Sequence, residues 1–202
     1  MAFYPPSEVP QGAIRLNTDS QKLEFYAQDQ WWQMATDVPT LNGGGRGLFA
    51  GMTPDASGHT DAIDYITIPT AGNATDFGNL TAGRTYAAGV CNSTRGVFGS
   101  GGGYQSGILN YRIDYVTIAS AGNATDFGEP LHLGNQYSNG GSTQTRGVWC
   151  GGSRSPGSPD VLNTMSYVTI ATTGNAIDFG ELTISTRAHA VISDSHGGLG
   201  GF

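Results

Sequence analysis

The heptapeptide Gly72-Asn-Ala-Thr-Asp-Phe-Gly78 occurs again, unchanged, as Gly122-Asn-Ala-Thr-Asp-Phe-Gly128, and a third time as Gly174-Asn-Ala-Ile-Asp-Phe-Gly180. The starts at residues 72, 122 and 174 give spacings of 50 and 52 residues. Self-similarity at a fixed period of about 20 to 50 residues is typical of repeat architectures. The chain is therefore predicted to contain three structural repeats.

Two further anchors precede each copy of the heptapeptide, always in the same order. The nearer one is a run of β-branched and aromatic residues: Ile63-Asp-Tyr-Ile-Thr-Ile68, Ile113-Asp-Tyr-Val-Thr-Ile118 and Met165-Ser-Tyr-Val-Thr-Ile170. The farther one is an Arg-Gly pair followed by two apolar residues: Arg46-Gly-Leu-Phe49, Arg95-Gly-Val-Phe98 and Arg146-Gly-Val-Trp149. The stretch from His196 to Phe202 stands where a fourth such marker would begin. Three anchors in register indicate genuine repetition.

Each repeat contains four short segments of strand-like composition, the last of them resembling residues 188–193. No segment has a sustained 3.6-residue apolar period, so we expect little helix. Four short strands in about 50 residues are typical of a propeller blade. We therefore predict an all-β chain in which residues 46–202 form three blade-like repeats.

The repeats resemble kelch-type propeller repeats. Arg84 and Arg187 match the arginine before the first strand of a kelch repeat, and Gly101-Gly102 and Gly151-Gly152 match its glycine pair. The chain departs from the pattern at Gly134-Asn135, at the single Gly51, and where Asp-Phe-Gly replaces a late tryptophan. The resemblance covers residues 46–202 and implies a fold, not a function.

Three repeats are fewer than the four to eight blades, roughly, with which propellers close. The repeats begin at the second strand of a blade and end at the first strand of another. We expect either a compact pseudo-threefold structure or two chains that supply six blades together, hence a homo-oligomer.

Residues 1–38 lie outside the repeats. Three strand-like segments at residues 12–17, 22–26 and 31–34 predict a β-meander that is marginal alone and serves as an attachment module. Residues 39–45 contain three consecutive glycines and are predicted to be a linker.

The string Gly12-Ala-Ile-Arg-Leu-Asn-Thr-Asp-Ser-Gln-Lys-Leu-Glu-Phe-Tyr26, followed by Trp31-Trp32, resembles a small β module common in tail-fibre and appendage proteins of bacteriophages. The three heptapeptide repeats resemble repeats in structural proteins of marine and cyanobacterial phages. The resemblance implies a virion component, often a fibre or host-recognition protein, with the meander as anchor and the repeats facing outward.

Composition narrows the function classes. The chain has 32 glycines in 202 residues, 12% charged residues and a net charge of −7. Its single lysine, Lys22, and its acidic balance argue against binding a phosphate backbone, so we expect no nucleic-acid partner. Neither a secretory signal nor an 18-residue apolar run is visible, which predicts synthesis in the host cytoplasm without membrane insertion. Cys91 and Cys150 are expected to be small buried hydrophobes rather than a disulfide.

The residues capable of chemistry form no recognisable constellation. Most acids recur in register (Asp64 and Asp114; Asp76, Asp126 and Asp178; Glu129 and Glu181), whereas a catalytic site must break symmetry, so we expect them to be structural. Calcium on the Asn-x-x-Asp turns is an alternative. The four histidines, His59, His132, His189 and His196, have no metal-ligand spacing and are expected in loops or at the surface.

Several other motifs favour structure over chemistry. The glycine runs 43–45 and 101–103 lack the Lys-Ser/Thr of a phosphate loop and predict turns. Asn73 and Asn123 fit glycosylation sequons but are expected to be turn residues. Phe77, Phe127 and Phe179 are expected to be core residues, with the aspartates before them accepting hydrogen bonds in turns.

Recognition is expected where the repeats differ, in the loops at residues 52–60, 99–109 and 153–161. Tyr104 suits stacking on a sugar ring, and Arg154 suits an acidic glycan. We therefore predict a non-enzymatic virion protein without cofactor, metal or catalytic residues, in a tail fibre or appendage that recognises the host surface. Its partners would be other virion proteins and possible host glycans. The alternatives are capsid decoration or virion bridging and, third, a polysaccharide-degrading propeller.

Overall fold

The computed structural model describes residues 9–18, 22–33, 45–53, 58–102, 112–132, 135–154 and 160–193. Within these ranges the regular secondary structure consists entirely of β-strands, and these strands form four small antiparallel sheets. The all-β prediction is therefore confirmed. The described residues contain no helix long and apolar enough to cross a membrane. The chain divides into two compact units, Met1–Leu41 and Asn42–Phe202.

The N-terminal sheet consists of β1 (Ile14–Asn17), β2 (Lys22–Ala27) and β3 (Gln30–Gln33) in that order. Gln28 and Asp29 both have positive φ angles, as a two-residue hairpin turn of the primed type requires. On one side of this sheet Tyr26 is buried beside Trp31. On the other side Ile14, Leu16, Leu23 and Trp32 are exposed, so the sheet has an uncovered apolar surface.

A charged network holds β1 to β2. Arg15 donates from its Nε to Glu24 at 2.8 Å, and Asn17 donates from its Nδ2 to the other carboxylate oxygen at 2.9 Å. The Arg15 guanidinium also lies 4.1 Å from the centre of the Trp31 ring. The hydrogen bonds from Asn17 and Arg15 lower the pKa of Glu24, because they stabilise its charged form.

Each repeat forms one sheet whose strands pair in chain order. Repeat 1 contains three strands and repeats 2 and 3 contain four each, so far as the described residues go. The strands are β4 (Arg46–Phe49), β5 (Thr60–Thr67) and β6 (Thr75–Arg84) in repeat 1; β7 (Ala88–Cys91), β8 (Arg95–Gly99), β9 (Ile113–Thr117) and β10 (Thr125–Gly128) in repeat 2; and β11 (Asn139–Ser142), β12 (Arg146–Cys150), β13 (Thr164–Thr169) and β14 (Ile177–Glu181) in repeat 3.

The three sheets share one register. The arginine that begins the Arg-Gly marker pairs with the threonine of the β-branched run in every repeat: Arg46 with Thr67, Arg95 with Thr117 and Arg146 with Thr169. In the last strand of each sheet the register shifts beside the Asp-Phe-Gly triplet. In repeat 2, Asp126 and Gly128 pair with consecutive residues of β9, which leaves Phe127 without a partner in the ladder. The bulge thereby directs the phenylalanine out of the sheet and towards the neighbouring repeat.

The hydrophobic core lies between the sheets. One buried cluster joins Ile63, Phe77 and Leu80 of repeat 1 to Phe98 and Val116 of repeat 2. A second cluster joins repeat 2 to repeat 3, with these buried members: Ala88, Val90, Val97, Ile113, Phe127, Trp149, Val168, Ile170 and Ala176. Each repeat is therefore stabilised mainly by its neighbour, as in other repeat proteins.

The segment at residues 188–193 does not form the strand that its sequence predicts. It stays close to repeat 3 through a hydrogen bond from the Ala188 N–H to the Tyr137 carbonyl at 2.9 Å, and through one from the Asn139 amide to the His189 carbonyl. These isolated contacts do not extend into a ladder. The three repeat sheets of the described chain also do not close into a propeller.

We predict that Glu24 has a pKa below its ordinary value and that Asn17→Ala and Arg15→Ala each raise it. Because the folded-state pKa is lowered, the carboxylate contributes stability above the pKa of the unfolded chain, and this contribution is lost as the pH falls through the folded-state pKa. Carboxyl NMR titration measures the pKa, and urea unfolding followed at the Trp31 indole measures the stability. A Glu24→Gln variant whose sheet stability keeps the wild-type acid dependence would contradict this assignment.

Candidate interaction faces

Each repeat sheet presents two apolar faces, because alternate residues of its strands point to opposite sides. We call the face that packs on the preceding repeat the leading face, and the face that packs on the following repeat the trailing face. At the first junction, Phe98 and Val116 belong to the leading face of repeat 2, and Ile63 and Phe77 to the trailing face of repeat 1. The second junction is built in the same way from the equivalent positions of repeats 2 and 3.

The recurring heptapeptide also links the repeats through backbone hydrogen bonds. At the first junction the Gly122 N–H donates to the Phe77 carbonyl at 2.7 Å, and the Ala124 N–H donates to the Asn79 carbonyl at 2.8 Å. Asn123 accepts a hydrogen bond from the Asn79 N–H at 3.1 Å through its side-chain oxygen. The expectation of a turn residue at Asn123 therefore misses its main contact, which crosses between repeats.

The second junction reproduces these bonds with nearly the same lengths. The Gly174 N–H donates to the Phe127 carbonyl at 2.8 Å, the Ala176 N–H donates to the Glu129 carbonyl at 2.8 Å, and the Asn175 side chain accepts from the Glu129 N–H at 3.1 Å. The Gly-Asn-Ala half of the heptapeptide thus belongs to the leading face and bonds to the preceding repeat. The Asp-Phe-Gly half belongs to the trailing face and lies against the following repeat.

The final glycine of the heptapeptide allows the close approach of the next repeat. Gly78 and Gly128 have φ angles of +146° and +152°, which L side chains rarely adopt. A Cβ atom at Gly78 would lie 2.4 Å from the Gly122 carbonyl oxygen, and one at Gly128 would lie 2.4 Å from the Gly174 carbonyl oxygen. Only glycine fits both the dihedral angle and the space.

The arginines of the first two Arg-Gly markers reach across to the following repeat. Arg46 donates to the Ile118 carbonyl at 2.8 Å, and Arg95 donates to the Ala171 carbonyl at 2.8 Å and to the Ile170 carbonyl at 3.2 Å. Each guanidinium also lies over a tyrosine of its own repeat, 4.9 Å from Tyr65 and 4.7 Å from Tyr115. In the sequence, every Arg-Gly marker is followed by a β-branched run that contains a tyrosine. This recurrence could have predicted the contact between the arginine and the tyrosine ring.

The first junction contains a buried ion pair that the sequence analysis did not identify. Arg84 donates to the Asp114 carboxylate, and both side chains are fully buried. Arg84 also donates to the Arg112 carbonyl at 2.7 Å, while Thr81 donates to Asp114 through its hydroxyl at 2.6 Å. Burial lowers the pKa of Arg84 and the Asp114 charge opposes this effect; the guanidinium nevertheless stays charged.

The second junction carries neutral residues in place of this pair. Asn135 stands at the position of Arg84 and donates to the Gly151 carbonyl at 2.9 Å, while Ser166 stands at the position of Asp114. Two junctions that share their backbone pattern therefore differ in their buried polar chemistry.

Within the described residues, two faces of the three repeat sheets are not covered by another repeat sheet. On the leading face of repeat 1, Phe49 is 47% exposed and Ile68 is 66% exposed, whereas the equivalent Trp149 and Ile170 of repeat 3 are 3% and 0% exposed. On the trailing face of repeat 3, Phe179 is 47% exposed. The prediction of a core role is right for Phe77 and Phe127, which are buried, and wrong for Phe179, which is exposed.

A groove of about 830 Å³ lies along the trailing face of repeat 3. Val148, Met165 and Phe179 form its sheet side, and residues 189–193 form another side. The Cys150 sulfur lies 3.3 Å from the His189 Nε2 in its lining. Burial raises the pKa of Cys150, which favours the neutral thiol over the thiolate that nucleophilic attack requires.

The cysteines and recurring acids fall in different environments. Both thiols are free, and Cys150 is buried, but Cys91 is exposed and its predicted burial is wrong. Asp114 is buried in the first junction, whereas Asp76, Asp126 and Asp178 are exposed. Asp178 accepts from the Gly180 N–H at 3.2 Å, but both residues lie within strand β14 and not in the turn expected for these aspartates.

The remaining candidates are placed only in part. His59, His132 and His189 are partly buried, and burial lowers the pKa of His132. Groups of three or more His, Cys, Asp or Glu that could hold a metal are not found among the described residues.

Gly101 and Gly102 lie beside repeat 3, where the Gly101 N–H donates to the Asn135 carbonyl at 2.6 Å. Arg154 is exposed. These predicted features lie outside the described residues: His196, Tyr104, Gly43, Gly44, Gly103 and most of the linker at residues 39–45.

No protein-family model matches the chain, and no curated protein matches it either.

We predict that Asp114→Asn lowers the free energy of unfolding of the repeat unit by about 3 to 5 kcal/mol, because it leaves Arg84 buried without a counter-charge. Combining Arg84→Asn with Asp114→Ser copies the residues of the second junction and recovers about half of this loss or more. Urea unfolding measures both effects. Asp76→Asn, at an exposed recurring acid, is the matched control and stays within about 0.5 kcal/mol of the wild type. Equal losses in the single and double variants would refute the ion-pair explanation.

Proposed function

We propose that the chain is a non-enzymatic structural protein of a bacteriophage virion, built from kelch-like, blade-type repeats. The proposal that the chain is not an enzyme rests on one observation, which is that the recurring side chains contact neighbouring repeats. Asn123 and Asn175, the marker arginines Arg46 and Arg95, and Phe77 and Phe127 all contact an adjoining repeat. Their chemistry is engaged in holding the array together.

The blade-type interpretation is supported by connectivity. The four strands of repeats 2 and 3 pair in chain order, and consecutive sheets pack face to face, as blades do. The kelch resemblance of the arginine and glycine positions agrees with this arrangement. The missing ring closure concerns the number of repeats rather than the form of each one.

The virion assignment is supported by the resemblance of residues 12–32 and of the heptapeptides to phage fibre and structural proteins. The N-terminal sheet adds a physical argument, because Ile14, Leu16 and Trp32 form an uncovered apolar surface. A three-stranded sheet of this size gains stability by docking. We therefore assign it the attachment to other virion proteins, on the outside of a particle assembled in the host cytoplasm.

Host-surface recognition is the role we propose for the loops between β4 and β5, β8 and β9, and β12 and β13. These loops connect equivalent strands, so they leave the three sheets at equivalent positions. They are also the segments in which the repeats differ most in sequence. Many weak polar contacts to a glycan, multiplied by the copies on a particle, provide avidity without a deep pocket.

Two other functions have specific expectations. Capsid decoration or bridging between virion proteins requires these loops to contact another virion subunit. A polysaccharide-degrading propeller requires an asymmetric pair of carboxylates across a cleft. Asp114 is buried whereas the equivalent Asp64 is only partly buried, and its bonds to Arg84 and Thr81 favour a structural role.

We predict that an antibody raised against the folded full-length chain labels tail appendages when intact virions are examined by immunogold electron microscopy. The reason is that a fibre component presents its repeats outward in several copies. Gold over the head would contradict the fibre assignment and favour capsid decoration. An unlabelled particle would contradict a role on the virion exterior, and pre-immune serum gives the background.

We further predict that the purified full-length chain, added in excess, reduces phage adsorption to the host, because it occupies the same surface glycans. Phage plating measures the adsorbed fraction. Arg154→Glu, at an exposed loop position, weakens the inhibition, whereas Arg154→Lys, which keeps the positive charge at that position, is the matched control. Release of reducing sugar from host polysaccharide would instead support the degrading enzyme.

A further inference from the structure

The leading face of repeat 1 and the trailing face of repeat 3 carry the same types of residues as the pairs of faces that bind each other inside the chain. Each is a copy of a face that is covered at the two internal junctions. We propose that they bind each other between two copies of this chain, head to tail, and form a closed ring of six repeats. This inference does not depend on the virion assignment, because it follows from the internal junctions alone.

The apolar parts of the two free faces match the buried parts of the internal junctions. Phe49 stands at the position of Phe98 and Trp149, which are buried against the preceding repeat. Phe179 stands at the position of Phe77 and Phe127, which are buried against the following one. Docking a second copy removes both exposed phenylalanines from water, which is the main favourable term in protein association.

The backbone groups of the internal junctions are also present on the free faces. Gly72, Asn73 and Ala74 of repeat 1 correspond to Gly122, Asn123 and Ala124, and they are exposed. Their partners in a second copy are the Phe179 carbonyl and the backbone of Glu181. Gly180 has a φ angle of +129°, and a Cβ atom placed on it would meet only Met165, at 3.9 Å. No described residue therefore occupies, beside Gly180, the space that Gly122 occupies beside Gly78.

Charged groups on the free faces agree with this pairing. Arg146 lies 4.9 Å from the centre of the Tyr167 ring, as Arg46 does from that of Tyr65, but no carbonyl in the described chain accepts from it. The Ile68 carbonyl is the equivalent of the acceptors used by Arg46 and Arg95. Asp64, at the position of Asp114, forms no ion pair within the described residues, and Arg187 is exposed at the end of repeat 3.

The number of copies proposed is based on the three repeats that these 202 residues contain. The two free faces differ, so the contact is heterologous and leads either to a ring or to an open filament. Propeller rings contain roughly four to eight blades. Two copies supply six repeats, whereas three copies would supply nine. The groove along repeat 3 is then occupied by the leading face of the second copy.

The test uses the full-length chain and two variants, Phe49→Asp on the leading face and Phe179→Asp on the trailing face. Both residues are about half exposed, so each variant is expected to fold, which circular dichroism checks. Sedimentation equilibrium of the wild type is expected to give about twice the 21.0 kDa mass of one chain. Each variant alone weakens dimerisation by about 100-fold, because a charge replaces a central aromatic anchor.

Mixing the two variants distinguishes the head-to-tail arrangement from a symmetric one. The intact trailing face of the Phe49→Asp chain still fits the intact leading face of the Phe179→Asp chain, so a 1:1 mixture recovers dimers that neither variant forms alone. Leu16→Asp, at an exposed residue of the N-terminal sheet, is the matched control and leaves the mass unchanged. A monomeric wild type, an open-ended polymer, or a mixture that stays monomeric would each overturn the proposal.

Discussion

The packing of one repeat sheet on the next is the constraint on which the rest of the repeat unit depends. A sheet of three or four short strands has two sides, and an apolar side is buried only when another layer packs on it. Here the buried residues collect between sheets, with Phe77 against Phe98 at one junction and Phe127 against Trp149 at the next. Stability is therefore a property of neighbouring pairs of repeats rather than of any single repeat.

This constraint explains why seven consecutive residues recur with so little change. Both halves of the heptapeptide must fit an adjoining repeat, but on opposite sides of the sheet. Gly122 and Asn123 bond backward to repeat 1, while Phe127 and Gly128 contact repeat 3. A substitution in either half therefore disturbs a junction.

The strands were predictable because they depend on local sequence. Alternation of β-branched and aromatic residues around Tyr115 correctly placed β9, and the anchors correctly placed the strands on either side of it. Burial was less predictable, because it depends on a neighbour. Phe127 and Phe179 lie in nearly identical sequences, yet Phe127 is buried against repeat 3 and Phe179 is exposed. Residues 188–193 failed as a predicted strand for a related reason, since a strand needs a partner for its ladder as well as a suitable composition.

The buried pair of Arg84 and Asp114 shows how near-identical repeats can keep a fixed order. Compared with well-packed apolar residues, such a pair adds little net stability, because removing two charges from water offsets their attraction. Separating the partners is costly, however, because it leaves a buried charge uncompensated. Asp114 therefore suits a neighbour that carries Arg84 and disfavours one that carries Asn135 at the same position. This pairing could have been predicted from the sequence, because both positions change together. Arg84 and Asp114 at the first junction are replaced by Asn135 and Ser166 at the second. Backbone bonds are common to both junctions, and the buried charge pair distinguishes the first junction from the second.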